Sequence, residues 1–232
     1  MKFIQKQASP IDFETWKAQK KQRASDLVKI RDLTALKLKE RWDKLKSKPL
    51  IFNILRENLL QEQGYLCCYC QQKISLEAKT MVIEHLLPRV TEPTLLFEYN
   101  NLLASCLGGK QGDDEVTQQK YCDNHRSNKH LDITPLQIDC NQYFDYIEMD
   151  EGIKIIGLSA EAEHTIEILN LNASKLRRLR GAFVQTFLED LNKEEANILL
   201  GKLKWQMDNT LAKPLTPFIQ VLIRCLENFY KI

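Results

Sequence analysis

The stretch Cys67-Cys-Tyr-Cys70 contains a C-x2-C pair, and the spacing of the residues downstream of it decides how the chain is read. Two thiolates three residues apart on a tight knuckle can face one zinc ion. Fifteen residues after Cys70 stands His85, within Val82-Ile-Glu-His-Leu-Leu-Pro88. Sixteen residues later stands Asn101, within Asn101-Leu-Leu-Ala-Ser-Cys106. Cys106 and Cys122 are separated by fifteen residues rich in Gly, Gln and Asp, which read as a loop. Cys122 is followed by Asp123-Asn-His-Arg-Ser-Asn-Lys129, a polar, basic segment that reads as a helix start.

Outside this region, composition narrows the class. A chain of 232 residues accommodates one or two domains with a sizeable core, and 44% hydrophobic residues exclude a disordered chain. No run of about 18 uncharged apolar residues occurs, which excludes an ordinary transmembrane helix. Met1-Lys-Phe-Ile-Gln-Lys-Gln lacks the apolar core of a secretory signal, so the expected location is cytoplasmic. The seven cysteines (67, 68, 70, 106, 122, 140 and 225) are odd in number and clustered, a pattern of metal binding and not of a disulfide framework.

The net charge of +2 conceals an asymmetry. Between Lys17 and Lys48 twelve Lys/Arg face four Asp/Glu, so this window carries +8 and the remainder −6. Leu27, Ile30, Leu33, Leu36, Leu38 and Leu45 recur at helical spacing with no Gly or Pro between residues 11 and 48, which predicts helix. Such a stretch serves phosphate-backbone attraction, a solvated face or docking on an acidic partner. Lys175-Leu-Arg-Arg-Leu-Arg180 carries the same readings. The organisation expected is a basic helical region over 1–60 with a short strand at Lys2–Gln5, a Cys/His-rich core over 61–150, and a helical region over 151–232. The last opens with a β-like Gly152–Gly157, followed by helices near 159–169, 174–191, 193–208 and 215–230, with Ser159 and Ser174 as N-caps.

The order of a Cys pair, acid-His, Asn-Leu five residues before a Cys, and a Cys opening a polar helix resembles the HNH endonucleases over roughly residues 61–130. A longer resemblance is carried by Met1-Lys-Phe-Ile-Gln-Lys6, Ser105-Cys-Leu-Gly-Gly109, Pro135-Leu136, Phe144-Asp-Tyr-Ile147 and Thr165-Ile-Glu-Ile-Leu-Asn-Leu-Asn172 with Leu176 and Arg180. These look like the Septu-type HNH proteins, the PtuB-like partners of an ATPase in bacterial anti-phage operons, including some retron systems. The resemblance implies an α+β, mainly α fold around a zinc-bound ββα-metal (HNH) motif, flanked by N-terminal and C-terminal helices. It implies a metal-dependent endonuclease acting as the effector of a defence system, with nucleic acid and a PtuA-like ATPase as partners and a retron reverse transcriptase–msDNA complex as a further one. The chain itself has no Walker A pattern, so nucleotide hydrolysis would belong to the partner.

Carried onto this sequence, His85 becomes the general base, since a neutral imidazole can take a proton from attacking water. Asn101, in preference to Asn100, becomes the second catalytic-motif residue, its amide holding the His-bearing turn. Glu84, where Asp is commoner, and Asp123, where Asn or His is usual, become ligands of a catalytic Mg²⁺ or Mn²⁺, with His125 the rival to Asp123 and Asn128 a weaker one. Cys67, Cys70, Cys106 and Cys122 become ligands of a structural Zn²⁺, with Cys122-x2-His125 as the rival arrangement. Cys68 faces away, and Cys140 and Cys225 pack as small hydrophobes. Arg89, Arg126 and Lys129 are placed to hold flanking phosphates or to stand as solvated charge. Three functions remain open: DNA cleavage, the same chemistry on RNA such as tRNA, and a non-catalytic zinc-stabilised nucleic-acid-binding adaptor.

Overall fold

The computed structural model describes residues 1–29, 33–76, 80–109, 119–209 and 214–231. Ile30 of the predicted N-terminal helix and residues 110–118 of the insert lie outside them.

The basic N-terminal stretch is broken into α1 (Ile11–Gln19), α2 (Ala24–Leu27) and α3 (Ala35–Lys46), where the spacing predicts continuous helix. After α1, Lys21 takes a left-handed backbone with φ 51°, and Gln22 N–H closes onto Lys17 O at 2.9 Å. A non-glycine residue there costs about 1–2 kcal/mol. The break is therefore held by packing, with Phe13 and Trp16 of α1 and Leu27 of α2 all buried. α3 begins at Thr34, whose hydroxyl accepts from Lys37 N–H at 3.4 Å. The strand predicted at Lys2–Gln5 does not form; Ile4 N–H instead bonds Pro135 O at 2.7 Å.

Helix α4 (Pro49–Glu62) starts on proline, whose missing N–H is no loss in a first turn. Strands β1 (Met81–His85) and β2 (Leu102–Cys106) pair antiparallel, with His85 opposite Leu102 and Met81 opposite Cys106. α4 packs on α1, α3 and β2. Just past α4, the buried Gln63 acts as a surrogate ladder partner. It accepts from Ala104 N–H at 2.7 Å and donates to the Ala104 and Leu66 carbonyls at 2.8 and 2.9 Å. The short α5 (Asp123–Arg126) follows Cys122.

A second antiparallel pair, β3 (Phe144–Met149) and β4 (Gly152–Gly157), supports the C-terminal helices. The β-like Gly152–Gly157 is thus a strand, and its partner is the Phe144-Asp-Tyr-Ile stretch. Helices α6 (Ala160–Leu169), α7 (Ser174–Leu188), α8 (Lys193–Asp208) and α9 (Ile219–Tyr230) complete the chain. Ser159 caps α6 through Ala162 N–H, but Ser174 is already helical and Ala173 holds the cap position. α9 begins after Pro217 and not at 215. Its start is tied to the cysteine knuckle: Phe218 N–H bonds Gln71 O and Gln220 N–H bonds Gln71 Oε1, both at 3.0 Å. The fold is mixed, with helices prevailing over two small sheets. Among the described residues no helix is long and apolar enough to cross a membrane.

The half-buried Lys6 and the buried Glu62 form an ion pair that no local pattern announces. Lys6 also donates to Leu102 O at 2.8 Å and lies 4.0 Å over the Tyr99 ring. Glu62 Oε2 accepts from Tyr99 OH at 2.9 Å and Gln7 N–H at 3.1 Å. Burial pushes the Glu62 pKa up even with Lys6 opposing. Lys6→Met, which leaves this carboxylate without its cation, is expected to lower stability by about 3–5 kcal/mol in urea denaturation.

Candidate functional site

Four thiols from three segments meet. Cys67 and Cys70 lie on the knuckle after α4, Cys106 ends β2, and Cys122 precedes α5. Their sulfurs all lie within 4.8 Å of one another, and all four residues are buried. Cys67 Sγ is 3.9 Å from Cys122 Sγ, and Cys70 Sγ is 3.7 Å from Cys106 Sγ. Tetrahedral thiolates at the usual zinc–sulfur length stand about 3.8 Å apart, so the set fits a structural metal. Burial opposes ionisation of Cys67, but hydrogen bonds from Cys106, Cys122 and its neighbours hold it well below the ordinary thiol range. Burial pushes Cys122 well above that range. A bound dication would displace the protons the remaining thiols keep. All seven cysteines are free and buried.

The approach of Cys122 to Cys106 depends on a tight backbone turn. Gly108, two residues past Cys106, has φ +54°, and a Cβ there would lie 2.0 Å from Tyr121 O. Its carbonyl accepts from Tyr121 N–H at 3.2 Å and Asn124 Nδ2 at 3.0 Å. This closes the chain around the insert and brings Cys122 to Cys106.

Beside the thiols, one cleft of about 460 Å³ is bordered by Glu84, His85, Arg89, Asp123 and Asn128 together with Trp42, Lys46 and Phe52. His85 is buried; its Nε2 lies 3.0 Å from Leu96 O, which assigns the proton to Nε2 and leaves Nδ1 as the acceptor. Burial lowers its pKa to about 4, so the ring is neutral near pH 7. Trp42 of α3 stands edge-on to it at 4.6 Å and stacks on Phe97 at 5.8 Å. Asn101 clasps the turn after His85. Its Oδ1 accepts from Leu87 N–H at 2.7 Å, and its Nδ2 donates to Leu87 O at 3.0 Å. Its side chain touches backbone only.

Glu84 is buried and faces Asp123, Tyr69 and Arg126. Tyr69 OH donates to its Oε1 at 2.9 Å, and Arg126 forms an ion pair with the same oxygen. Burial, and next the adjacent Asp123 carboxylate, push the Glu84 pKa well above the usual carboxylate range. Two converging carboxylates are an all-oxygen donor set that suits a hard divalent cation, and such a cation would relieve their repulsion.

Three residues expected at the site stand elsewhere. Arg126 does not reach the surface to hold a phosphate: it is 1% exposed, and its donors are taken internally. They go to Glu84, Tyr69 OH at 2.9 Å, and the Leu86, Lys129 and His85 carbonyls at 2.7, 2.8 and 3.2 Å. The reason is physical, since a buried guanidinium must satisfy its fork of donors. His125 does not border the cleft; its Nδ1 lies 2.9 Å from Ile168 O. Lys129 is exposed and also absent from the cleft wall. Arg180 of the second basic turn is likewise buried, donating to Ile153 O at 2.9 Å. Sequence reasoning passes over Trp42 and Tyr69. Tyr69 sits inside the Cys-Cys-Tyr-Cys signature, while Trp42 carries no local signal at all.

No family model matches the chain. It is 29% identical over 152 residues to a Vibrio cholerae serotype O1 biovar El Tor protein named "Retron Vc95 putative HNH endonuclease", covering 62% of this chain and 70% of that one. It is 29% identical over 178 residues to the Escherichia coli "Retron Ec83 putative HNH endonuclease", covering 60% and 68%. It is also 36% identical over 63 residues to the Septu protein PtuB of Bacillus thuringiensis, covering 26% of this chain and 24% of PtuB. The chain resembles HNH endonucleases of defence systems. The names of these relatives agree with the resemblance carried by the Cys pair, acid-His, Asn-Leu and Cys order of residues 61–130.

Two substitutions test the four-thiol cluster. Cys106→Ser is expected to abolish bound metal in metal analysis of the purified protein, whereas Cys68→Ser should retain it in full. Arg126→Met is expected to cost about 3–5 kcal/mol of unfolding free energy through the unpaired Glu84. Lys129→Ala should stay within about 0.5 kcal/mol of wild type.

Proposed function

We propose that this chain is an HNH endonuclease that hydrolyses nucleic-acid phosphodiester bonds as the effector of an anti-phage system, its core the zinc-bound ββα-metal arrangement of β1, β2 and α5. The observation that carries the reading is the neutral, buried imidazole of His85 sharing one cleft with two carboxylates. The names of the retron and Septu relatives support it.

In this reading His85 Nδ1 accepts a proton from water as that water attacks phosphorus in line. The Leu96 carbonyl fixes the tautomer and ring plane, and Asn101 holds the turn from which they meet. Trp42 excludes solvent from one face of the ring. Glu84 and Asp123 would hold a Mg²⁺ or Mn²⁺, which would neutralise charge on the scissile phosphate and the leaving 3′ oxygen. Tyr69 and Arg126 orient Glu84 through one oxygen. Arg89 and Lys46 border the cleft with the cationic character that flanking phosphates need. Cys67, Cys70, Cys106 and Cys122 would hold a closed, structural Zn²⁺ that pins the hairpin to α5. A PtuA-like ATPase or the components of a retron are the partners that the relatives' names suggest.

A second reading, a non-catalytic zinc-stabilised adaptor, is favoured by the ion pair that already engages Glu84. The two are separated by incubating the protein, with its operon partner, with plasmid DNA and total RNA in Mg²⁺ or Mn²⁺. Cutting is expected in one substrate, which also assigns DNA or RNA. His85→Ala should reduce it by roughly 10²–10⁴-fold with zinc content unchanged. If wild type leaves both substrates intact under every metal and partner condition, the nuclease reading fails and the adaptor stands.

A further inference from the structure

Helix α3 borders two hollows. Its Trp42 and Lys46 line the His85 cleft, while its Lys37, Arg41 and Lys44 line a second concavity of about 810 Å³. Lys20, Lys21 and Lys29, from the segments around α1 and α2, close the other side. Among the described residues, six cations therefore face two anions, Asp26 and Glu40. Five of the six are exposed lysines; Arg41 is steadied by Gln22 Oε1 at 2.7 Å. Lys37 and Lys46 lie roughly 14 Å apart along the axis of α3 and on opposite sides of it, so a backbone that joins the two hollows wraps around the helix.

We infer that this concavity is a second binding site, for a nucleic-acid backbone, and that α3 carries the bound strand from it to the His85 cleft. The inference rests on the nuclease reading for the strand's destination, but the binding itself does not require cleavage. Charge distribution favours a polyanion: among the described residues Leu33 is the one apolar residue of the lining. A protein interface would present aromatic or aliphatic anchors at its centre. Lysines on flexible stems suit phosphates that are held without base identity. A groove between the β3–β4 hairpin, α7 and α9 has the reverse character: it carries Glu148, Asp150, Glu151 and Glu189 against Arg178, beside exposed Met149 and Phe229, and would attract phosphate less.

The test uses the full chain, loaded with zinc, and a short labelled DNA duplex, single-stranded DNA and RNA of arbitrary sequence. Binding is measured by anisotropy at several salt concentrations with no Mg²⁺ or Mn²⁺ present. The variant is K20Q/K29Q/K44Q, at exposed positions away from the cleft chemistry. Wild type should bind at least one of the three with a steep salt dependence. In the variant the slope of log affinity against log salt should shrink by between about two and three, since each lost phosphate contact removes about 0.9. Unchanged slope and affinity on all three probes, or no binding by wild type, would overturn the proposal. So would a variant that binds as wild type yet no longer co-purifies with its operon partner, which would assign the hollow to an acidic protein surface. Cutting by wild type with Mg²⁺ or Mn²⁺ and its operon partner reports the nuclease reading separately, because binding without cutting under every such condition sinks that reading and leaves this site standing.

Discussion

The convergence of four thiols is the constraint on which the rest of the structure depends. A two-stranded sheet such as β1–β2 is marginal by itself in water, and α5, at four residues, is too short to be stable alone. Neither would hold its place without a fixed point. Cys67 and Cys70 anchor the knuckle, Cys106 the end of β2 and Cys122 the entry to α5, and their sulfurs lie within one metal ion's reach. That point sets where Asp123 stands relative to Glu84, and so whether two carboxylates can share a cleft at all.

Arg126 is a second fixed point built from charge. Its guanidinium reaches from α5 to Glu84 and the Leu86 carbonyl at the end of β1, and to Tyr69 on the knuckle. The knuckle and α5, already joined by thiols, are thereby tied again, and β1 is drawn in with them. Because the pair is buried, removing one partner strands the other, so this link is all-or-none. The same logic recurs at Lys6 and Glu62, where the extended N-terminus is stitched to α4 and β2.

The N-terminal helices finish the cleft and do not merely flank it. Trp42 and Lys46 of α3, with Phe52 of α4, form one wall, and Trp42 meets the His85 ring directly. The wall on which His85 depends thus comes from a helix more than forty residues upstream of it in sequence. The C-terminal region contributes in a different way. It buttresses the knuckle through Gln71 and seats Cys122 through Leu169, whose carbonyl accepts its N–H at 2.8 Å.

The sequence alone determined the features that rest on short-range spacing. The strand over Gly152–Gly157, the Ser159 cap and most C-terminal helices were legible because each depends on residue types a few positions apart, and the cysteine cluster because the family pattern it resembles fixes the order of its four members. What it misread were features set by burial against distant residues. The helix predicted through 11–48 breaks at Lys21, with no Gly or Pro to announce it, because Phe13, Trp16 and Leu27 are packed elsewhere. Arg126, a surface charge by composition, is drawn inside by Glu84, forty-two residues earlier in the chain. Only the tertiary structure decided that His125 turns to Ile168, that Trp42 covers His85, and that Lys37, Arg41 and Lys44 of α3 share a hollow with Lys20, Lys21 and Lys29. Those outcomes depend on which buried polar groups find partners across the fold, and local spacing carries no record of that choice.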